Sequence, residues 1–567
     1  MAKITILPSG ETIDLEPGES VRDALYRAGI ELETPCNGKG VCGQCGVWVE
    51  NPHNVPETPH DKISPEEAAR GLRLACRLIP ETDLVIEVPP EIVNDTRRIL
   101  QGTAEEAHWH QEHIEPGAKI FTREGAHWIR KDRQLAPEQL EDWQTGFSPN
   151  GLAIDLGTTT VVATLVSLIT GDELATASLL NPQIQFGHDV MSRIYKGSTP
   201  EGLEELAGVL CKGVNRLIRD LCTDSVTRSQ EIVDVVMGGN TTMLQLAARI
   251  DPAPLGRIPF KKGLEGGECF PVDRFGLDVN PAAQVYIPPV AHAFVGSDIS
   301  AGLLACDGFF EGKKPTLFID AGTNGELALS AGGKCMVTST AAGPAFEGMG
   351  ISCGMRVGVG AIEAVFAANE SILFGTVGNA PARGICGSGI IDLIACLREF
   401  GVVEKTGRMR RPSNAEGIPE KVAACMEEIG GFSAFQLAEG VHFTQEDVRE
   451  IQLAKGAIRA AIDMFLKETG TSSEEVQRVM LAGGFGYSLE PENLEAIGMI
   501  PPGMAKKVSF AGNTSRLGCV RLLLDISERR FIEKQMARVE HIPLAERPEF
   551  MELYVENMRF PEQMHDA

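Results

Sequence analysis

The sequence has little positive charge and no long apolar run, and each shortage excludes a class of function. Its 567 residues include 52 Lys and Arg against 78 Asp and Glu, which gives a net charge of −26. Nucleic-acid-binding proteins need basic surfaces, and anionic membranes attract basic segments, so we expect neither partner. No stretch approaches 18 uninterrupted apolar residues, so no membrane span is expected.

The N-terminus also lacks the charged segment and apolar run of a signal peptide, so we expect a cytoplasmic protein. Disulfides are rare in that compartment. The 14 cysteines are therefore expected to be metal ligands or redox groups where they cluster, and buried reduced thiols where they are scattered.

The chain is long enough for three or four domains, and its pattern changes twice. Residues 1–95 form a β-rich unit with strands predicted at Lys3–Leu7, Glu11–Leu15 and Leu84–Val88 and a helix at Val21–Ala28. This unit has 8 basic and 17 acidic residues, so its net charge is −9. We expect a small acidic α+β domain.

Residues 96–148 have a different character and are interpreted as a linker or a small docking element. Helices are predicted at 97–111 and 136–143. From residue 149 to 567, apolar strands end in glycine-rich turns and precede amphipathic helices, which predicts an α/β architecture. The tail beyond Asp525 is charged and gives little motif signal.

Three cysteines lie within ten residues of the first unit, at Cys36, Cys42 and Cys45, and Cys76 follows after a gap. Glycines between them let backbone amides turn toward the thiolates. Zinc sites usually have two Cys-x-x-Cys pairs, and this segment has one. The spacing is close to that of [2Fe–2S] ferredoxins, and the five-residue first gap resembles the adrenal type more than the plant type.

Two segments of the third region share one design: an apolar strand that ends in Asp, followed by a turn through Gly and Thr. They contain Asp155 and Asp320, about 165 residues apart, and strands after both turns predict hairpins. Backbone amides and hydroxyls in such turns bind phosphates, and each Asp can hold Mg²⁺ through water. The predicted phosphate-binding residues are Gly157, Thr158, Thr159, Thr160, Gly322, Thr323, Asn324 and Gly325.

The paired turns resemble the phosphate-1 and phosphate-2 loops of the acetate and sugar kinase/Hsp70/actin superfamily. Two later glycine turns resemble their companions, including the adenosine-binding turn of that superfamily. Their residues are Gly387, Ser388, Gly389, Gly483, Gly484 and Phe485.

Other positions leave two interpretations open. Asn240 either faces the γ-phosphate or caps the helix that it precedes. Glu326 either orients the attacking water or belongs to a hairpin surface. The segment from Asn181 to Asp189, together with Arg193, contacts either a partner or the surface of the nucleotide domain itself.

Nearly the whole chain resembles the reductive activators of corrinoid proteins, through its cysteine cluster and its NPQ, GNTTM, DAGTNGE and AGGFG segments. The resemblance implies a multidomain protein: a β-grasp-like α+β ferredoxin domain, then a bilobal α/β ATPase of the superfamily named above. It implies that Cys36, Cys42, Cys45 and Cys76 hold a [2Fe–2S] cluster, and that Asp155 and Asp320, with the residues of both turns, hold Mg·ATP. Glu326 and Asn240 are the further candidates for catalysis, with the alternatives given above.

The implied function is transfer of one electron to inactive Co(II), driven by ATP hydrolysis, to regenerate Co(I) for methyl transfer. The implied partners are a corrinoid protein, an upstream electron donor and a second copy of the chain. Two alternatives stay open: an ATP-binding redox sensor or scaffold without turnover stimulated by a partner, and an ATP-dependent activator of a CoA-ester dehydratase or reductase.

Overall fold

A computed structural model of the chain describes residues 3–562, apart from a set of internal positions. Those positions are 8–9, 29, 31, 33–39, 41–44, 53–54, 56–62, 81, 90–120, 125–126, 131–147, 188, 313, 323, 356 and 484–488. The predicted helices at 97–111 and 136–143 lie outside the described residues. No helix of the described part is long and apolar enough to cross a membrane.

The first unit is a five-stranded mixed sheet with the order β2-β1-β5-β3-β4, in which β1 and β5 pair in parallel. Helix α1 places Val21, Ala24 and Leu25 in the same core as the sheet residues Ile4 and Ile86, as its helical spacing predicts. Its elements are β1 (Lys3–Leu7), β2 (Glu11–Asp14), α1 (Val21–Arg27), β3 (Gly46–Val49), α2 (Pro65–Arg70), β4 (Leu72–Leu74) and β5 (Leu84–Glu87).

A two-stranded hairpin lies between this unit and the large α/β region. It consists of β6 (Phe121–Glu124) and β7 (His127–Arg130), which pair antiparallel. The sequence analysis predicted no strand in this region.

The first lobe of the α/β region is built on a six-stranded sheet with the order β10-β9-β8-β11-β13-β12. The long helix α4 buries Leu210, Val214 and Leu217 against it. The elements of the lobe are β8 (Asn150–Leu156), β9 (Thr160–Ser167), β10 (Glu173–Leu180), α3 (Val190–Gly197), α4 (Pro200–Asp224), β11 (Ile232–Gly239), α5 (Thr241–Ala247), β12 (Glu268–Pro271), β13 (Gln284–Ile287) and α6 (Ser297–Ala305).

The second lobe repeats this plan on another six-stranded sheet, with the order β24-β23-β14-β15-β16-β25. In both sheets the first strand forms an antiparallel hairpin on one side and pairs in parallel on the other. The main elements are β14 (Thr316–Ala321), β15 (Gly325–Ala331), β16 (Lys334–Thr340), α7 (Gly387–Glu399), α9 (Gln445–Thr469), β23 (Arg478–Ala482), α10 (Pro491–Ala496) and β24 (Val508–Gly512).

Two small three-stranded sheets are inserted in the second lobe. They contain β17 (Ala361–Ala368), β18 (Ser371–Thr376), β19 (Gly384–Ile385), α8 (Glu420–Ala423), β20 (Met426–Ile429), β21 (Phe432–Ala438) and β22 (Val441–Thr444). The tail that gave little motif signal is folded, as α11 (Thr514–Leu524), α12 (Ile526–Met536), β25 (Glu540–His541) and α13 (Pro548–Asn557).

Two helices are exchanged between the lobes. Helix α6 follows the first sheet, but its Ile299 and Leu303 pack with Phe318 of the second. Helix α11 follows the second sheet, but its Val520 packs with Ala153 of the first. The helices cross closely: a Cβ atom on Gly518 of α11 would lie 1.9 Å from the carbonyl oxygen of Ala301 in α6. The crossing therefore requires glycine.

We expect Gly518→Ala to push α6 and α11 apart and to destabilise the α/β region by about 1–3 kcal/mol, the range for overpacking. The matched control is Gly208→Ala in α4, where a Cβ atom would meet nothing within 4 Å. That change should stabilise the protein by about 0.5–1 kcal/mol, since alanine favours the helix interior. Thermal unfolding followed by circular dichroism measures both; equal effects at the two positions would contradict the crossing.

Candidate functional site

The two aspartates of the repeated turns occupy equivalent positions in the two sheets. Asp155 lies near the end of β8, opposite Gly238 of β11. Asp320 lies near the end of β14, opposite Ala482 of β23. Both predicted hairpins are present. The repeat thus delivers one carboxylate from each lobe to the carboxyl ends of its parallel strands, where α/β sheets bind ligands.

Asp155 is held by the N-terminal end of the exchanged helix α11. The side-chain amide of Asn513 donates to its Oδ2 at 2.8 Å, and the hydroxyl of Ser515 donates to its Oδ1 at 2.7 Å. These hydrogen bonds favour the charged form, but burial has the larger effect and raises the pKa of the carboxyl. A residue of the first lobe is thereby fixed by the chain of the second.

Further carboxylates share the same buried environment. The pKa of Asp298 is raised to about 8, by burial and by Asp320 and Asp155. The pKa of Asp320 is raised to about 7, by burial and by Asp155 and Glu347. Burial, with Asp298 and Asp320, raises the pKa of Glu326 well above its usual range. Like charges crowded in a low dielectric disfavour one another, and a cation would relieve them.

The first turn is closed by a hydrogen bond within the turn and by the side chain of Asn181. The amide of Gly157 donates to the carbonyl of Thr160 at 3.0 Å. The side-chain amide of Asn181 donates to the carbonyl of Gly157 at 2.8 Å. The hydroxyl of Thr159 is buried without a partner in the described part of the chain, which leaves a donor for a bound group.

Asn240 caps the helix that it precedes, which is one of its two suggested roles. Its side-chain oxygen accepts from the amide of Met243 and caps α5, and its side-chain nitrogen donates to the hydroxyl of Thr158 at 2.8 Å. The start of α5 is therefore tied to the first turn.

The second turn lies beside Glu347 and beside Gly483, the residue that follows β23. The amide of Gly322 donates to the carbonyl of Asn324 at 3.1 Å. A Cβ atom on Gly322 would lie 3.2 Å from a carboxylate oxygen of Glu347, and one on Gly483 would lie 3.1 Å from Oδ1 of Asp320. Gly483 has φ of 109°, in the region that favours glycine. The predicted residue Thr323 lies outside the described residues.

Of the residues predicted to belong to the two later glycine turns, only Gly483 lies next to a phosphate-turn residue in the described part of the chain. Gly483 is adjacent to Asp320, whereas Gly484 and Phe485 lie outside the described residues. Gly387, Ser388 and Gly389 begin α7. The hydroxyl of Ser388 donates to the carbonyl of Glu363 at 2.6 Å and is buried. In this conformation Ser388 packs α7 against β17.

The carboxylates suit Mg²⁺ better than a metal ion whose ligands are all protein side chains. No group of three His, Cys, Asp or Glu side chains within the described ranges is arranged to hold an ion by itself. Mg²⁺ usually keeps several waters and binds through one or two carboxylates plus substrate phosphates. Asp155 and Asp320 fit that mode of binding.

Two of the four predicted cluster cysteines, Cys45 and Cys76, lie within the described residues. The Sγ atoms of Cys45 and Cys76 lie 3.3 Å apart. Two sulfurs bound to one tetrahedral metal ion at about 2.3 Å stand about 3.8 Å apart, so this pair suits ligands of the same iron. Cys36 and Cys42 lie outside the described residues.

Glu347, Asn513 and Ser515 were not expected from the sequence, and the segment from Phe294 to Asp298 was expected either to cap a helix or to be functional. Asp298 is the second residue of α6, after the N-cap Gly296 and Ser297, and Asn513 precedes α11 as its N-cap. Each is typical of a helix start and carries no ligand signal of its own. The separation between Asp155 and Asn513 is 358 residues, so only the fold brings them together.

The carboxylate crowding predicts a dependence of stability on pH. The folded Asp298 keeps its proton to about pH 8, whereas an unfolded Asp loses it near pH 4. The folded state therefore binds more protons between these values, and stability falls as the pH rises. Asp298→Asn should raise the stability of the nucleotide-free protein at pH 5 and at pH 8, by about 1.4 kcal/mol more for each pH unit between them, so that the gain at pH 8 is several times larger.

Thermal unfolding at the two pH values measures this difference. The control is Asp220→Asn on α4, at a side chain that is 55% exposed, and it should leave the pH dependence unaltered. A gain for Asp298→Asn that is equal at both pH values would contradict the crowding.

Comparison with protein families identifies three regions. The 2Fe-2S iron-sulfur cluster binding domain matches residues 4–81. The RACo middle region matches residues 150–308, and the C-terminal domain of RACo, the ASKHA domain, matches residues 314–567. The cluster-binding domain and the ATPase are thus both identified, and the predicted fold class is confirmed.

Of two similar proteins, one covers nearly the full length of the chain and the other about seven tenths of it. The corrinoid activation enzyme RamQ of Eubacterium limosum is 30% identical over 97% of this chain and 98% of its own length. A reductase of the Co(II) methylated amine-specific corrinoid protein from Methanosarcina barkeri is 26% identical over 71% of this chain and 76% of its own.

A solved structure of a reductive activator for a corrinoid, iron-sulfur protein superposes with a TM-score of 0.70. It is 30% identical and covers 100% of this chain and 99% of its own. With a [2Fe–2S] domain and an ATP-binding ASKHA domain in this order, the chain belongs to the family of reductive activators of corrinoid proteins.

Proposed function

We propose that this protein reductively activates a corrinoid protein at the expense of ATP. One electron passes to inactive Co(II) of the partner and regenerates Co(I) for methyl transfer. The observation that carries the proposal is the full-length similarity to a corrinoid activation enzyme. Two features support it: the sulfur atoms of Cys45 and Cys76 lie close together, and carboxylates from both lobes are crowded near the ends of the parallel strands.

The division of labour follows the regions of the chain. Residues 1–95 would carry the [2Fe–2S] cluster on Cys36, Cys42, Cys45 and Cys76, and the bound cluster supplies a single electron. Residues 96–148 would act as a linker or docking element. Residues 149–567 would bind and hydrolyse ATP. The net charge of −9 on the first region suits a small electron carrier that meets an upstream donor and the partner in turn.

In the nucleotide site, Asp155 and Asp320 would hold Mg²⁺ through water, one from each lobe. Asp298 and Glu326, whose pKa values are raised, stand next to that position and would orient or deprotonate the attacking water. The amides and hydroxyls of both turns would bind the phosphates. These residues are Gly157, Thr158, Thr159, Thr160, Asn240, Gly322, Thr323, Asn324 and Gly325.

The remaining turn residues would enclose the adenosine. They are Gly387, Ser388, Gly389, Gly483, Gly484 and Phe485.

Coupling between ATP and the partner requires an element that both lobes share. The exchanged helices α6 and α11 supply it, because Asp298 begins α6 and the residue before α11, Asn513, binds Asp155. Closure of the lobes over ATP would therefore move both helices together. That movement would change how the protein grips the corrinoid partner and make Co(II) easier to reduce. A homodimer remains part of the proposal.

The alternatives make different predictions. An ATP-binding redox sensor or scaffold would show no turnover stimulated by a partner. An activator of a CoA-ester dehydratase or reductase would hold a [4Fe–4S] cluster on cysteines of its ATPase. Here the thiols of Cys386, Cys396 and Cys519 contact the backbone carbonyls of Ile362, Val365 and Ile154 respectively, which is typical of separate buried thiols.

The decisive experiment mixes the protein with an oxidised corrinoid protein and a chemical reductant, with or without Mg·ATP. We expect the Co(I) absorbance to appear only with ATP, since hydrolysis drives the uphill electron transfer. Formation of Co(I) at the same rate without ATP would rule out the proposed coupling.

A pair of variants should separate electron transfer through the cluster from ATP hydrolysis. Cys45→Ser should remove the visible absorbance of the cluster and abolish Co(I) formation, while ATP hydrolysis is retained. Asp320→Asn should retain the cluster absorbance and lower ATP hydrolysis at least tenfold. Cys222→Ser, at a half-buried thiol of α4, is the control and should leave both unchanged. Loss of ATP hydrolysis in Cys45→Ser would contradict the division.

A further inference from the structure

A buried arginine lies behind the first phosphate turn without a carboxylate bonded to it. Arg193, on α3, is 0% exposed. Its Nε donates to the carbonyl of Gly187 at 3.0 Å, and one terminal nitrogen approaches the Sδ of Met243 at 3.1 Å and the side-chain oxygen of Gln183 at 3.5 Å. Its other terminal nitrogen has no hydrogen-bond partner among the described residues.

The stability of the fold does not explain why a charged guanidinium is buried at this position. Removing a guanidinium from water is costly, and neutral acceptors compensate for it poorly. Burial accordingly lowers the pKa of Arg193 to about 10, with Asp189 as the one opposing charge. Asp189 stays charged but is bonded elsewhere, because its carboxylate accepts from the amide and the hydroxyl of Ser192 and not from the guanidinium. By contrast, the buried Arg529 is bonded to the carboxylate of Asp234.

The neighbours of Arg193 lead to the first turn by two routes. The guanidinium contacts the sulfur of Met243, and the backbone amide of Met243 donates to the side-chain oxygen of Asn240. Asn240 in turn donates to the hydroxyl of Thr158. Asn181 contacts the same Met243 sulfur at 3.7 Å and donates to the carbonyl of Gly157. The positive charge is therefore one side chain away from both asparagines that fix the turn.

We propose that Arg193 is a positioning residue for the nucleotide: among the described residues no carboxylate is bonded to its guanidinium, and its charge is more fully compensated when the phosphates of ATP occupy the first turn. Charge interactions across a buried layer are weakly screened, so contact is not required. The contacts with Met243 and Gln183 hold the supporting side chains in register. The inference deepens the proposed function, since it concerns the same nucleotide site.

The test compares Arg193→Met, which keeps the apolar bulk without the charge, with Arg193→Lys, which keeps the charge. Thermal unfolding of the full-length protein is measured with and without Mg·ATP, along with the KM and kcat of ATP hydrolysis. We expect Arg193→Met to match or exceed the wild-type Tm without nucleotide, to lose more than half of the ATP-induced rise in Tm, and to raise the KM about tenfold. Arg193→Lys should restore most of the ATP-induced rise.

A matched control is Arg249→Met in the same lobe, because Arg249 is paired with Glu204 at 3.2 Å. It should lower the Tm without nucleotide and keep the ATP-induced rise. Failure of Arg193→Met to fold, or a lowered Tm in the absence of nucleotide, would overturn the inference, since the guanidinium would then serve the fold. So would an undiminished ATP-induced rise, or a Lys variant that behaves like the Met variant.

The outcomes also distinguish this inference from the proposed function. An absence of any ATP-induced rise in the wild-type protein would remove the nucleotide site itself. A normal rise in the wild type that persists in Arg193→Met would reject the role of Arg193 alone.

Discussion

The crowding of carboxylates between the lobes is the constraint on which the nucleotide region depends. Asp155, Asp298, Asp320 and Glu326 come from strands and a helix that belong to different parts of the chain, and each carries a raised pKa. Like charges at such positions oppose the packing that brings them together. The apolar cores of both sheets must therefore hold the site in place, and a divalent cation with its phosphates would remove the opposition.

The same constraint explains why the lobes exchange helices. A carboxylate fixed only by its own lobe would move away from its counterpart whenever the cleft widened. Asn513 and Ser515 bind Asp155 across the lobes, and Asp298 begins the helix that packs against the second sheet. The position of each charge therefore depends on the other lobe, so the occupancy of the cleft and its geometry are linked.

Local patterns predicted much of the fold. The strands around Asp155 and Asp320 and the hairpins that follow them lie at their expected positions, and the helices that their spacing predicts at 203–221 and 448–467 are present as α4 and α9. Strand and helix periodicity are properties of short segments. The contacts of Asp298, Asn513 and Arg193 were not predictable. Each looks like a helix cap or a surface charge in sequence, and its role arises from partners far along the chain. The tail after Asp525 was underestimated for the same reason, since α12 buries Ile532 in the first-lobe core.

The exchange of α11 and α12 also sets the order in which the protein can be completed on the ribosome. The first sheet is finished with β13 at Ile287. Helix α6 adds Ala301 and Leu304 to the apolar face around Ala153 and Val236 soon afterwards, but α11 and α12, which complete its cover, end only at Met536. Translation at about 5–20 residues per second leaves that face partly uncovered for roughly 12–50 s. During this interval the nascent chain carries an exposed, β-rich surface, which is the kind of surface that molecular chaperones shield. Synthesis of the last tenth of the chain thus determines the fate of its first lobe.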